Sequence, residues 1–478
     1  MMYENDTIAA IVTGLTQSGV GIIRVSGKDA ISIVDKIFVN KFGKHKLKEK
    51  ESHTISYGYI IDKKKEEEIT DNNEQYWKSF ILDECMISLF KAPKSYTMED
   101  VVEVNCHGGI LIMQSILELI VKMGARIAQP GEFTKRAFLN GRIDLSRAEA
   151  VMDIIQSQSK LAMDASVKQL NGSIYRKIKE IRKRVIYEIA FIESALDDPE
   201  HISLDGYEEK ITKVVEELLT EIKKMIDSSK SGILRREGIQ TTIVGRPNAG
   251  KSSIMNLLLN EERAIVTDIA GTTRDLLKEY IQIGEIGLHI IDTAGIRQTE
   301  DEVEKIGVNK AKDSILEADL VLHVIDGSAF LDETDKMIKE FSQEKPVIIL
   351  LNKSDLDNVV SFEEIDRLYQ DKKHYVISFS AKEKTGVHEM EEIIRNIFFQ
   401  GEVKSNQEVV ITNIRHKEAL IEVEKSLKNV MISIENHMPE DFLSIDLMSA
   451  YEYLGKIIGE EIEDDLVEEI FTKFCMGK

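Results

Sequence analysis

Residues 240–399 alternate short apolar runs with helical stretches. The runs at 241–244, 288–291, 320–325, 347–351 and 375–377 are almost unbroken in their apolar character, as strands buried on both faces are. Strands spaced this way between helices predict a mostly parallel sheet with helices on both sides. On either side of this region the period changes. Ile211, Val214, Val215, Leu218, Leu219, Ile222 and Ile226 recur every three or four residues with Lys and Glu between them, which is one apolar stripe on a helix. Residues 145–195 contain no proline, which suits long helices. After residue 405 the helical pattern returns, so an α/β domain is expected to interrupt a helical one. Residues 1 to about 120 read as mixed α/β, with strands at 7–12, 21–25 and 101–105 and a charged, turn-rich stretch that includes 63–68. The expected class is α/β + α, divided at 1–122, 123–237, 238–401 and 402–478.

Composition narrows this only a little. The chain has 478 residues, 42% hydrophobic and 31% charged, ordinary values for packed domains and not for disorder. No run of about 18 apolar residues predicts a membrane span. Cys85, Cys106 and Cys475 are too few and too scattered for a disulfide framework or a zinc site. No basic stretch followed by an apolar core opens the chain, and the expected compartment is the cytoplasm. The net charge of −22 argues against a general polyanion binder. A nucleic acid would have to dock on a local basic patch or on a second protein.

The chemistry sits in the α/β region. Gly245-Arg-Pro-Asn248-Ala249-Gly250-Lys251-Ser252 follows a predicted strand and opens a predicted helix. Its glycines let backbone N–H groups turn inward around phosphate oxygens, and the helix N-terminus adds partial positive charge. Lys251 is expected on the outer phosphates and Ser252 on Mg²⁺. Asp292-Thr293-Ala294-Gly295 ends a second strand; its carboxylate acts through the Mg²⁺ shell and the Gly295 N–H meets the last phosphate. Asn352-Lys353-Ser354-Asp355 ends another. A carboxylate there accepts from both the N1–H and the 2-amino group of guanine, a pair that adenine lacks. Ser380-Ala381-Lys382 is expected against the base. Gly271-Thr272-Thr273-Arg274-Asp275 occupies a switch position, with Thr273 as second Mg²⁺ ligand. In this order the motifs predict a Ras-like G domain that binds and hydrolyses GTP.

One position departs from Ras. The residue after Gly295 is Ile296, which cannot orient water as a glutamine does, so another group must place the water and neutralise charge. Asn248 offers a side-chain oxygen that suits either a turn cap or a monovalent cation such as K⁺, and the segment 267–272 offers backbone carbonyls to the same end.

The phosphate loop with Ser253, the segment Thr267-Asp268-Ile269-Ala270-Gly271-Thr272-Thr273-Arg274-Asp275, and Asp292-Thr-Ala-Gly-Ile-Arg297 together resemble the MnmE (TrmE) family of tRNA modification GTPases, within the TrmE-Era-like GTPases. The resemblance spans the chain. It includes Asp6-Thr-Ile-Ala, Gly19-Val-Gly-Ile-Ile-Arg24-Val-Ser-Gly27, Ser95-Tyr-Thr-Met-Glu-Asp100, residues 130–140, and the terminal Phe474-Cys475-Met-Gly-Lys478. A ribosome-assembly GTPase would share the G-domain motifs but not these N-terminal blocks or the tail. The resemblance implies an N-terminal folate-binding domain that dimerises, a helical domain, and a G domain inserted into it. It implies K⁺ in place of an arginine finger, on Asn248, Thr267, Ile269 and Thr272, with Glu304 positioning water indirectly. It implies a one-carbon folate such as 5-formyltetrahydrofolate, on Arg24, Glu103, Arg142 and Lys478, and a tail thiol, Cys475, with a proposed role. It further implies a homodimer that joins the flavoprotein MnmG (GidA) in a heterotetramer. Together they would install an aminomethyl or carboxymethylaminomethyl group at carbon 5 of the wobble uridine of certain tRNAs.

Overall fold

A computed structural model of the chain describes residues 6–62, 76–260, 279–291, 312–342, 344–370, 373–399, 409–460, 464–472, 474 and 477. It divides into two units, residues 1–152 with 455–478, and residues 153–454.

The first unit is built on a seven-stranded sheet. Its strands are β1 Ile8–Ile11, β2 Ser18–Ser26, β3 Phe38–Asn40, β4 Thr54–Ile61, β5 Ile81–Phe90, β6 Val101–Gly108 and β7 Arg126–Ile127, in the order β3-β4-β5-β6-β2-β1-β7. Only the β1–β7 pair is parallel. Alternation sends Ile23, Val25, Ile87, Val102 and Val104 to one face. There they meet Val34 and Ile37 of the helix Ala30–Ile37 and Met113, Ile116 and Ile120 of the helix Ile110–Lys122. The strands β3 to β5 are absent from the sequence prediction, and for β4 the physical reason is visible. Along the first half of β4 the large apolar residues Ile55 and Tyr57 point to solvent, so no core-facing apolar period exists there to read. The C-terminal helix Asp464–Thr472 belongs to this unit. Phe471 and Phe474 pack with Leu145, Ala148 and Met152, and Gly477 lies against Ile11 and Val12 at the end of β1.

The second unit carries a six-stranded sheet. Its strands are β8 Ile239–Val244, β9 Glu279–Ile283, β10 Ile286–Ile291, β11 Leu320–Asp326, β12 Val347–Asn352 and β13 His374–Ser378, ordered β13-β12-β11-β8-β10-β9. All neighbours are parallel except the β9–β10 hairpin, as the alternating pattern predicts; the edge strand β9 is not among the runs read from the sequence. The helical stretches on either side of this sheet in sequence meet in space. Ile211, Val215, Leu218, Ile222 and Met225 of the helix Tyr207–Glu237 are buried, as are Leu420, Val423, Leu427 and Val430 of the helix Ile414–Glu435 that packs on it. Ser228 joins the contact, its Oγ 3.3 Å from the Ile411 N–H that donates to it. The buried stripe is narrower than the sequence stripe, because Val214, Leu219 and Ile226 are only half-buried.

Candidate nucleotide and pocket sites

Parallel strands deliver their carboxyl ends to one edge, which is where ligands bind in open α/β sheets. Val244, Asp326, Asn352 and Ser378 end β8, β11, β12 and β13 there. The loop after β8 leads into the helix Lys251–Asn260. Asn352, 2% exposed, is the tie between the motifs. Its Nδ2 donates to the Ala249 carbonyl at 2.8 Å and its Oδ1 accepts from the Ala381 N–H at 3.2 Å. The phosphate loop and the 380–382 loop are therefore fixed to each other by one amide. Gly250 has a positive φ of 100° and passes so close to the Asn352 Nδ2 that a Cβ would collide with it. Asn248 has a left-handed backbone, φ 62°, which asparagine tolerates better than most residues, and its side chain is exposed.

Asp355 accepts a hydrogen bond from Ser380 Oγ at 2.7 Å and has Lys382 Nζ 3.5 Å away. The Ser380 bond, with Lys382 adding to it, holds its carboxyl below the usual range, so it is an acceptor at any physiological pH. Lys353, also left-handed at φ 65°, reaches Asp326 at 2.7 Å. Asp326 was not picked out in the sequence; the signal available was its place at the end of a buried strand. Lys251 Nζ donates to the Gly245 and Arg246 carbonyls, both at 2.7 Å, and burial lowers its pKa. Ser252 and Ser253 open the helix behind it and are exposed. Thr267, Asp268, Ile269, Ala270, Gly271, Thr272, Thr273, Asp292, Thr293, Ala294, Gly295, Ile296 and Glu304 lie outside the described residues.

A second site lies in the first unit. Arg24 on β2 and Glu103 on β6 face each other in the strand register and pair at 2.9 Å through both Nε and Nη2. They line a cavity of about 750 Å³ with His53, Phe90, Tyr96 and Arg142. The Arg24 guanidinium lies 5.0 Å from the Tyr96 ring centre and 5.5 Å from that of Phe133, and Arg142 lies 4.6 Å from Tyr96. Arg142 Nη1 also donates to the Tyr96 carbonyl at 2.9 Å. Arg24 Nη1 is buried and finds no hydrogen-bond partner among the described residues, so a donor is left for a ligand oxygen. The structure thus brings together Arg24, Glu103 and Arg142. Lys478 and Cys475 lie outside the described residues. Sequence reasoning missed Tyr96, Phe133, Phe90 and His53; Tyr96 sits inside the Ser95–Asp100 block, which was the available signal. Cys85 and Cys106 are buried in the core of the sheet, and burial pushes the Cys106 thiol up to about 11, so neither is a ready nucleophile.

The cavity wall at 93–100 rests on a partly buried ion cluster. Arg136, 3% exposed, reaches Asp6 at 2.7 Å, Glu132 at 3.0 Å and Glu99 at 3.2 Å. Arg126 adds bonds to Asp6 at 2.6 Å and Glu132 at 2.7 Å. Ser26 Oγ bonds Glu99 and Thr97, each at 2.7 Å, and Asn140 donates to the Thr97 carbonyl at 2.7 Å. Blocks distant in sequence, at 6–9, 95–100 and 130–140, are joined here. Burial by itself raises the Asp6 and Glu132 carboxyls, and hydrogen bonds from Arg126 and Arg136 more than reverse this, leaving both below their usual range.

Residues 7–142 match the family described as GTP-binding protein TrmE N-terminus, and residues 145–475 match the MnmE helical domain. The tRNA modification GTPase MnmE of Lachnoclostridium phytofermentans is 51% identical over 475 residues, covering 99% of this chain and 100% of the relative. That of Acetivibrio thermocellus is 47% identical over 481 residues, the full length of both. Among solved structures, the G domain of the T. maritima FeoB iron transporter aligns over 33% of this chain and 96% of its own, at 21% identity and a TM-score of 0.25. With identity of this order along its whole length, and with the guanine-type loops tied together by Asn352, the chain belongs to the family of tRNA modification GTPases MnmE and is a GTP hydrolase.

Proposed function

We propose that this GTPase acts with the flavoprotein MnmG to add an aminomethyl or carboxymethylaminomethyl group to carbon 5 of the wobble uridine (U34) of certain tRNAs in the cytoplasm. The observation that carries this reading is that one chain holds two different sites, a guanine-type site around Asn352 and Asp355 and an aromatic, cationic cavity with a carboxylate at Glu103. A pterin carries a ring N–H beside a 2-amino group, as guanine does, and Glu103 is a matching acceptor. The unpartnered Arg24 Nη1 fits a ligand oxygen, and Tyr96 and Phe90 supply flat apolar surface. These residues, with Arg142 and Lys478, would hold 5-formyltetrahydrofolate or a related folate, which supplies the one-carbon unit when bound. Division at 1–122, 123–237, 238–401 and 402–478 goes with this reading. So does a homodimer, supported by the exposed outer face of β4 and β5, where Ile55, Tyr57 and Met86 form an apolar strip.

In the G domain, Ser252 and Thr273 would hold Mg²⁺. Asn248, Thr267, Ile269 and Thr272 would hold K⁺, and Glu304 would position the water. The left-handed, exposed Asn248 supports this, since its side chain is not engaged in capping the turn among the described residues. GTP hydrolysis would pair and release the G domains and so gate the modification. Hydrolysis is expected to be at least tenfold faster in K⁺ than in Na⁺, and the Asn248→Ala variant is expected to lose that difference while keeping nucleotide affinity. Equal rates in both salts would remove the cation from the reading. Titration calorimetry should show folate binding that falls at least tenfold in Glu103→Gln, because a carboxylate accepting two hydrogen bonds becomes an amide that matches only one. The test of the whole reading is mass spectrometry of tRNA nucleosides after deletion of the gene. Unchanged wobble uridines would exclude it.

A further inference from the structure

The strongly acidic chain contains stretches of opposite character, and one of them lies in the first unit. Between residues 36 and 50 there are six lysines and one glutamate, and Lys41, Lys44, Lys46, Lys48 and Lys50 are all exposed in the connection from β3 to β4. Lys46 pairs with Glu49 at 3.2 Å, while Lys44, Lys48 and Lys50 form no ion pair among the described residues. The other basic stretch, on the helix Ser173–Asp197, is different. There Lys177 reaches Glu221 at 2.8 Å and Glu180 at 3.3 Å, and Arg184 reaches Glu217 and Glu221, both at 2.7 Å. Lys177 and Arg184 are thus neutralised within the protein, whereas Lys44, Lys48 and Lys50 meet no carboxylate among the described residues.

The loop is also held in shape. The Asn40 side-chain oxygen accepts from the Phe42 and Lys44 N–H groups at 2.9 and 3.1 Å. Gly43, at φ 71°, turns the chain flat against the Trp77 indole, where a Cβ would not fit. Leu47 is buried in the core, and its N–H donates to Asp35 at 2.7 Å. At its tip Phe42 is 70% exposed, with Lys41 Nζ 5.0 Å from its ring centre. At its far end the loop joins the cavity. Ser52 Oγ accepts from the Lys91 N–H at 2.9 Å, the His53 N–H donates to Leu89 at 2.7 Å, and His53 lines the cavity with Lys94.

We propose that the loop 41–53 is a docking surface for the phosphate backbone of the tRNA, leading toward the cavity that holds Arg24 and Glu103. Unpaired lysines neutralise phosphates. An exposed aromatic beside a cation is the pairing on which unstacked bases of single-stranded loops rest. This inference rests on the tRNA reading above.

The experiment is binding of labelled tRNA to the full-length protein, read by fluorescence anisotropy across a salt series. The K44Q/K48Q/K50Q variant is expected to bind roughly tenfold more weakly at moderate salt. Its slope of log K against log salt should be shallower by about two to three, since each lysine lost releases about one counterion fewer. GTP turnover and folate binding are expected to be unchanged. A variant with Lys177→Gln and Arg184→Gln, whose charges are already paired, serves as the control and should bind as the wild type. Wild-type affinity and slope in the triple variant would overturn the proposal. So would loss of MnmG capture with tRNA binding intact, which would assign the loop to a protein partner. If the triple variant binds normally while deletion of the gene abolishes the wobble modification, only the loop assignment fails. If deletion leaves the wobble uridines unchanged, the tRNA reading itself fails.

Discussion

Replacing Asp355 by Asn is expected to lower GTP affinity at least a hundredfold and to create measurable hydrolysis of XTP. In the structure the Asp355 carboxylate is anchored by Ser380 Oγ at 2.7 Å and approached by Lys382, so its free lone pairs have a fixed direction. Guanine offers two donors to that carboxylate. The amide of Asn would meet one of them with an N–H, leaving two donors opposed. Xanthine has a carbonyl where guanine has its amino group, and the same amide then donates correctly. Sites built around hydrogen bonds discriminate strongly, because a mismatch leaves polar groups unpaired. The measurement is steady-state hydrolysis of GTP and XTP by both proteins. Unaltered GTP affinity in the variant would show that Asp355 does not face the base.

Replacing Arg136 by Met is expected to destabilise the first unit by about 3–5 kcal/mol, the usual cost of breaking a buried ion pair from one side. Arg136 touches Asp6, Glu99 and Glu132 at once, and Glu132 is itself buried. A loss of that size is a large part of a domain's total stability of roughly 5–15 kcal/mol. Denaturant unfolding would measure it, and loss of folate binding would accompany it, because Glu99 and Thr97 anchor the cavity wall. The pH dependence has a definite sign. In the wild type the Asp6 and Glu132 carboxyls lie below their unfolded values. Their contribution is complete above the ordinary carboxylate range and is lost as pH falls through the depressed folded values. In Arg136→Met the buried Glu132 and the half-buried Asp6 carboxyls keep their desolvation with less compensation, so the deficit relative to the wild type should shrink as the medium is acidified through that range. A deficit independent of pH would mean that the side chain contributes packing rather than charge.

The candidate nucleotide site was legible, among the described residues, because its motifs are local. Gly250, Lys251 and Ser252 are neighbours in sequence, and Asn352 through Asp355 lie on one strand end, so each motif carries its geometry with it. A parallel sheet then places all strand ends at one edge, and order alone is enough to assemble the site. The same holds for strands around it, whose burial on both faces leaves unbroken apolar runs such as residues 347–351.

The cavity in the first unit was not legible in that way. Arg24 and Glu103 are each a single charge on a strand. Only the register of β2 against β6 makes them a pair, and register is a long-range property. Tyr96 and Phe133 become cation partners only when the loop at 93–100 and the helix Glu132–Leu139 both pack beside Arg24. The Asp6, Glu99, Glu132 and Arg136 cluster likewise exists only after three distant segments meet. Resemblance to a family pointed to those segments, and tertiary structure supplied the reason they travel together.

The basic loop shows the division most clearly. The sequence alone determined the net charge and the run of lysines between 36 and 50. It could not tell that run from the basic stretch beginning at Lys177, because both read as lysines on a polar surface. Only the fold decided that Lys177 and Arg184 lie within reach of Glu217 and Glu221 on the helix Tyr207–Glu237, while Lys44, Lys48 and Lys50 meet no carboxylate among the described residues on a hydrogen-bonded turn. Charge is a property of residues, but neutralisation depends on distance, and distance between remote residues is set by packing.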